Sequence, residues 1–266
     1  MSQAAVLTRI GPQSIKTQFD RDGYLELDQI TSREELTHIR SLLDPLFARF
    51  DSLGDLAIEL SGAHRAGSPL RSPEINEPAI LEPALKNTQV FQRCRSIARE
   101  LLGAPAGFLF DHAIYKLPQS DAPTRWHQDQ AYHHDAIPLR SIHFWIPLQD
   151  ATIENGCMWY IPGSHRDGLV PHIEASKRFA ASSDRRAGST LAIANVDEAK
   201  AVPCPVRAGG VAIHHPLTFH YAGANRSNDY RRAWILHFGA YGKWRFLLHP
   251  KCIAARLRDA IGVKSV

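Results

Sequence analysis

The sequence predicts a mainly β domain, a β-sandwich or jelly roll, with two amphipathic helices covering one outer face. Three observations predict it. From Gly107 onward the periodicity changes from helical to strand-like. Apolar runs at 108–116, 124–130, 140–148, 157–161, 202–207, 210–215, 217–221 and 231–241 alternate with Pro, Gly, Asn and Asp clusters, and no helix separates them. That spacing opposes a parallel α/β sheet. Finally, 266 residues suit one all-β domain as well as two smaller ones.

Taken in order, residues 1–30 read as an irregular entry followed by a short strand around Gly23–Leu27. Thr31 or Ser32 caps a helix running to about Phe50. Ser32 with Glu35 makes a capping box, and Leu36, Ile39, Leu42, Leu43, Leu46 and Phe47 recur at helical spacing. Prolines 69, 73, 78 and 83 make 51–86 a long covering loop with at most one short helix. A second helix spans about Asn87 to Leu102, with Gly103 as its C-cap. Residues 1–106 thus form a helical and loop cover, and 107–241 the β core. The segment 174–200, rich in Ala, Ser, Arg and Asp, reads as an insertion or lid. No linker divides the chain, so 1–266 is expected to act as a single domain.

Composition excludes several classes. A 44% hydrophobic, 22% charged chain is neither disordered nor a coiled coil. No apolar run reaches the ~18 residues of a membrane span, and no signal-type segment opens the chain, so a soluble, cytoplasmic protein is expected. The net charge of +4 is spread thinly, without a basic stripe interleaved with aromatics, which argues against nucleic acid as a partner. Cys94, Cys157, Cys204 and Cys252 are scattered with no Cys-x-x-Cys and read as reduced thiols. Fourteen histidines make a metal site worth seeking.

The best candidate is Thr124-Arg125-Trp126-His127-Gln128-Asp129. On a strand, residues i and i+2 share a face, so His127 and Asp129 would present an imidazole and a carboxylate together. A third ligand is offered by His220 in Phe219-His220-Tyr221. Two His and one carboxylate on one face of an octahedron are the ligand set of non-haem Fe(II) oxygenases. A His-x-Asp alone is common, and His165-Arg166-Asp167 repeats it in a Gly/Ser-rich turn. On local sequence alone, polar histidines at strand ends with Asp129 capping a turn are the somewhat favoured reading.

Linked blocks reverse that weighing. Trp126-His127-Gln128-Asp129, then Asn155-Gly156-Cys157-Met158-Trp159-Tyr160-Ile161-Pro162-Gly163-Ser164-His165, then His220 to Ser227 closing on Arg231-Arg232-Ala233, resemble the phytanoyl-CoA dioxygenase family. The resemblance runs from about Phe108 to Phe238. It implies a double-stranded β-helix (a cupin-like jelly roll) and an Fe(II)- and 2-oxoglutarate-dependent dioxygenase, consuming O2 and releasing succinate and CO2. It implies His127, Asp129 and His220 as iron ligands and Arg231 as the clamp on the distal carboxylate of 2-oxoglutarate, through paired charge-assisted hydrogen bonds. Strand alternation separates Arg231 from Arg232 without choosing between them; the resemblance chooses Arg231. Trp145 falls at a family position beside the co-substrate. Ala222 departs from the pattern, since many relatives carry a hydroxyl residue there; Thr218 or Tyr115 are the expected substitutes. Gln128 and Lys116 are further candidates for co-substrate or substrate. The aspartate at 129 argues against halogenation.

Substrate contacts are expected from the 51–86 loop, from 130–140 with Tyr132, His133 and His134, and from 174–200. An aromatic and apolar lining with few charges suits a hydrophobic small-molecule metabolite of secondary metabolism, ahead of an acyl-CoA or fatty acid. A cupin-type isomerase or lyase, which needs no Arg231, and a non-catalytic 2-oxoglutarate-binding protein are the competing classes. Substrate identity, the position oxidised and the oligomeric state are not encoded legibly.

Overall fold

The computed structural model describes residues 12–62, 64–103, 106–133, 140–174 and 191–240. Helix α1 (Pro12–Asp22) leads into strand β1 (Tyr24–Leu27) through Gly23 at φ 76°. Helix α2 (Arg33–Ala48) is N-capped by Ser32, whose hydroxyl accepts from the Glu35 amide. The expected capping box is opened: the Glu35 carboxylate instead accepts from the Thr31 hydroxyl and from the amides of Gln89 and Val90. It thereby ties α2 to the start of α4 (Gln89–Leu102), whose own cap is Thr88. Val90, Phe91, Ile97 and Leu101 of α4 are buried, each contributing about 1.5–3 kcal/mol by leaving water.

The covering loop of 51–86 is corrected by the structure. It contains β2 (Ala57–Glu59) and β3 (Pro73–Asn76), which pair with each other and add two strands to the main sheet, then α3 (Pro78–Leu81). Prolines that read as loop markers sit at the first residue of β3 and of α3, where a missing N–H costs least. The buried Glu59 carboxylate accepts from the amides of Ser61, Arg71 and Ser72, holding the excursion between the two strands. No periodic pattern announces that contact.

The remaining strands are β4 (Ala106–Lys116), β5 (Thr124–His127), β6 (Ser141–Pro147), β7 (Met158–Tyr160), β8 (His172–Glu174), β9 (Leu191–Ile193), β10 (Val202–Cys204), β11 (Val211–His214), β12 (His220–Ala222) and β13 (Arg231–Ala240). A seven-stranded antiparallel sheet runs β1-β11-β6-β13-β4-β3-β2, and a four-stranded sheet runs β10-β7-β12-β5. Their facing sides share one cluster: Trp145, Ala212, Ala233 and Ile235 from the large sheet against Met158, Tyr160, Cys204 and Ala222 from the small one. The opposite face of the large sheet packs Phe144, Ile213, Trp234, Leu236 and Phe238 against the N-terminal helices. Both faces of β13 are therefore buried, which explains its weak alternation. This is the expected jelly roll with helical cover. Of the expected insertion, 175–190 lie outside the described residues; Leu191–Ile193 pairs with His172–Glu174 as a separate hairpin. Cys94, Cys157 and Cys204 are buried free thiols, and Cys252 lies outside the described residues.

Gly156 shows how closely the ends of β7 and β12 approach within the small sheet. It sits at φ 87°, and a Cβ there would overlap the Gly223 carbonyl oxygen. Backbone cannot move aside as a side-chain tip can, so Gly156→Ala combines left-handed strain with displacement of β12. We expect a loss of roughly 2–4 kcal/mol, read as a lower midpoint in denaturant unfolding at unchanged slope.

Candidate metal centre

Strand β5 ends on His127 and β12 begins on His220, and the two residues are cross-strand partners. Their rings lie 4.0 Å apart between centroids. The His127 Nδ1–H donates to the Arg125 carbonyl at 2.7 Å, and the His220 Nδ1–H to the Thr218 carbonyl at 2.9 Å. A carbonyl only accepts, so each proton is fixed on Nδ1. Burial holds His127 below its ordinary pKa, which keeps that imidazole neutral. Each Nε2 then presents a lone pair, and both face one carboxylate oxygen: Asp129 Oδ1 lies 3.3 Å from His127 Nε2 and 3.2 Å from His220 Nε2. Three such atoms converging in a buried place make a donor set that a cation would satisfy. The donor set thus fits a divalent transition metal.

The strand argument that joined Asp129 to His127 needs correction. Strand β5 stops at His127, and Asp129 lies beyond it, where the backbone turns into the short helix α5 (Gln130–His133). Same-face alternation along a strand does not place the carboxylate. What places it is its other oxygen. Asp129 Oδ2 is bonded to His143 Nδ1 of β6 and, at 3.0 Å, to His214 Nε2 of β11. Sequence reading missed both histidines; each occupies an inward position in a strand whose neighbours are apolar on both faces, and alternation then carries no signal. Burial alone would raise the Asp129 carboxyl, but the histidines gathered around it, His143 donating to Oδ2 among them, hold it well below the usual carboxylate range.

At the other end of the inner face, Arg231 is buried with Nε and Nη1 lacking a hydrogen-bond partner among the described residues. Its guanidinium stands over the Trp145 ring at 5.5 Å. Burial lowers its pKa to about 10. An orphaned buried guanidinium beside an aromatic wall fits a planar carboxylate guest. Lys116, the cross-strand partner of Arg231, is also buried, and its ammonium donates to the carbonyls of Ala222 and Gly223 at 3.0 and 2.6 Å.

Other expected site residues are placed elsewhere. Arg232 and Tyr115 lie on the helix-facing side, where the Tyr115 hydroxyl donates to Asp44 at 2.7 Å and Arg232 Nε to the same oxygen at 3.1 Å. Tyr115 is thus on the wrong face of the sheet to substitute for a hydroxyl at 222. The Thr218 hydroxyl is committed to the Gly23 carbonyl at 2.7 Å. Gln128 is a brace: its amide donates to Gly168 and Leu217 carbonyls and accepts from the Val170 amide. The Thr218 hydroxyl and the Gln128 amide are thus engaged by backbone groups far away in sequence. Tyr132 stands edge-on to His127 at 5.6 Å and its hydroxyl bonds the backbone of Leu191, tethering β9 beside the centre. The side chain of His133, and His134 entirely, lie outside the described residues. His165 bonds the Asp20 carbonyl in a 3-10 turn and takes no part.

Comparison with known proteins follows this geometry. Residues 19–233 match the family model described as phytanoyl-CoA dioxygenase (PhyH). Phytanoyl-CoA dioxygenase domain-containing protein 1 of Danio rerio is 28% identical over 156 residues, 59% of this chain and 53% of that one. The Bos taurus protein of the same name is 24% identical over 255 residues, 82% and 87% of the two chains. The match spans about half the length of several of these relatives. Among solved structures, EvdO2 from Micromonospora carbonacea var. aurantiaca, complexed with 2-oxoglutarate, is 32% identical with a TM-score of 0.67, covering 85% of this chain and 89% of that chain. SnoN, an epimerase from nogalamycin biosynthesis solved with Fe3+ and alpha ketoglutarate, shares the fold at 20% identity and a TM-score of 0.60, covering 87% and 84%.

Proposed function

Because the chain belongs to the phytanoyl-CoA dioxygenase family, we propose that it is an Fe(II)- and 2-oxoglutarate-dependent dioxygenase that hydroxylates a hydrophobic small-molecule metabolite. The observation that carries this reading is the convergence of two imidazole lone pairs on Asp129 Oδ1. His127 and His220 would hold iron through Nε2, and Asp129 through Oδ1. Arg231 would take the distal carboxylate of 2-oxoglutarate, with Trp145 as the flat wall beside it. Iron and 2-oxoglutarate together supply the activation of O2, with succinate and CO2 as co-products.

The chain's own contribution is to orient and to keep dry. The inner cluster of Met158, Tyr160, Ala222 and Ile235 excludes water from the space between the sheets, which strengthens every charge interaction there. A carboxylate already holds the ligand place that a halide would need, which supports hydroxylation over halogenation. Phe110, stacked on His237 at 4.0 Å, and Tyr132 offer aromatic faces to a substrate.

Anaerobic addition of Fe(II) and 2-oxoglutarate to the metal-free protein tests the reading. The expected result is a weak visible charge-transfer band of the chelate, abolished in Asp129→Ala, and succinate release on admitting O2 with substrate. Bound iron without the band would sink the oxygenase reading and favour a metal enzyme that does not use 2-oxoglutarate.

A further inference from the structure

The two oxygens of Asp129 face different chemistry. Oδ1 meets two imidazole lone pairs, as described. Oδ2 meets His143 Nδ1 and His214 Nε2, on adjacent strands β6 and β11 at directly paired register. An ionised carboxylate can only accept, so both of those nitrogens carry protons. The Tyr160 hydroxyl, 3.1 Å from His214 Nδ1, supplies the complementary donor and fixes that tautomer. His143 and His214 are buried, their side chains 0% and 3% exposed. Nothing in the metal reading itself needs these two residues.

We infer that His143 and His214 form a two-donor cradle that locks Asp129 as a one-oxygen metal ligand, reserving Oδ1 for the metal. They are positioning residues: neither touches the metal, and both act through the carboxylate. The cradle would keep Asp129 from chelating a metal through both oxygens, leaving coordination free for co-substrate and O2. The alternative use of the same atoms is a second metal on Asp129, His143 and His214. That would place two divalent charges around a single carboxylate in a dry interior, an uncompensated arrangement of high cost. The inference rests on the metal reading of His127, Asp129 and His220, and its test separates the two.

Titrating the metal-free protein with Co(II), followed by its visible absorption, gives stoichiometry and affinity without any turnover. One Co(II) per chain is expected. His143→Phe and His214→Phe should each weaken Co(II) binding about 10–100-fold and alter the band pattern. His143→Asn, whose amide nitrogen replaces Nδ1, and His214→Gln, whose amide nitrogen replaces Nε2, should recover affinity to within a few-fold. In Asp129→Gly, which leaves both imidazoles in place, formate should restore Co(II) binding. Should the Phe variants not fold, the Asn and Gln variants and the formate experiment decide alone. Phe variants that match wild type in affinity and spectrum, formate without effect, or two Co(II) per chain would overturn the cradle alone. Wild type that binds no Co(II) overturns the metal centre and the cradle with it.

Discussion

Arg231→Met raises the thermal stability of the protein without co-substrate and, in the same variant, weakens 2-oxoglutarate binding by about 30-fold to several-thousand-fold. The two effects have one cause. In the folded chain the guanidinium is fully buried, two of its nitrogens have no partner among the described residues, and burial lowers its pKa from its ordinary value to about 10. A base whose folded pKa is depressed costs stability wherever the unfolded chain is charged, so the penalty is constant across neutral pH. At 1.36 kcal/mol per unit it is on the order of 3 kcal/mol. Methionine keeps an apolar stem against Trp145, removes the charge, and relieves Lys116, which burial and then Arg231 hold below its ordinary value. The gain should read as several degrees, at about 2–4 °C per kcal/mol. Losing one partner of a buried, hydrogen-bonded charge pair costs about 2–5 kcal/mol of affinity, which sets the range above. Differential scanning calorimetry with and without 2-oxoglutarate measures both signs at once. Unchanged co-substrate affinity would remove Arg231 from the site. A lowered melting temperature would mean the guanidinium is already satisfied.

Asp111→Asn removes one component of the pH dependence of folding stability between about pH 4 and 7, the component that falls as pH rises. Asp111 lies on the helix-facing side of β4, where it accepts from the Ala79 amide at 3.1 Å and the Trp234 indole at 2.8 Å. It caps α3 from a distant strand, because Glu77, at φ 54°, makes no side-chain cap of its own. Burial raises its pKa from 3.8 to about 7 despite those two donors and the nearby His112 and Lys86. The sign is set by which state binds the proton more tightly. The folded state does, so the stabilisation is complete below about pH 4 and is lost as pH rises through 7. About 3 units correspond to roughly 4 kcal/mol, an upper figure. The Asp111 contribution to stability should therefore fall by up to about 1.4 kcal/mol per pH unit in that window, and the variant should lack it. At pH 8 the variant should be the more stable, by about 1–3 kcal/mol after the cost of burying an amide with unmet donors. His112, whose pKa is raised by Glu74 against the effect of burial, loses stability with rising pH in the same direction. The wild-type minus variant difference isolates Asp111. Parallel stability–pH curves in urea unfolding would refute the assignment.

Parts of this molecule declare themselves along the chain. The helices α2 and α4 repeat apolar residues at helical spacing, and the caps Ser32, Thr88 and Gly103 depend on neighbours within three residues. Strands β1, β4, β6, β11 and β13 fall in the expected apolar runs because each must be buried on at least one face. β2 and β3 do not, since an edge hairpin begun by proline and held by Glu59 looks like loop in one dimension. The expected strand over 124–130 overran its end, because apolar content does not report where pairing with β12 stops.

Sequence by itself determined the fold class and the helical cover, and through linked blocks that resemble one family it nominated the His127/Asp129/His220 triplet and Arg231. Only the tertiary structure decided which oxygen of Asp129 meets lone pairs and which meets N–H groups, that His143 and His214 stand behind it, and that Tyr115, Thr218 and Gln128 are spent elsewhere. The reason is range. Periodicity and capping are written by residues three or four apart, whereas Asp129 and His214 are 85 residues apart, and a polar side chain's role depends on which backbone group reaches it first.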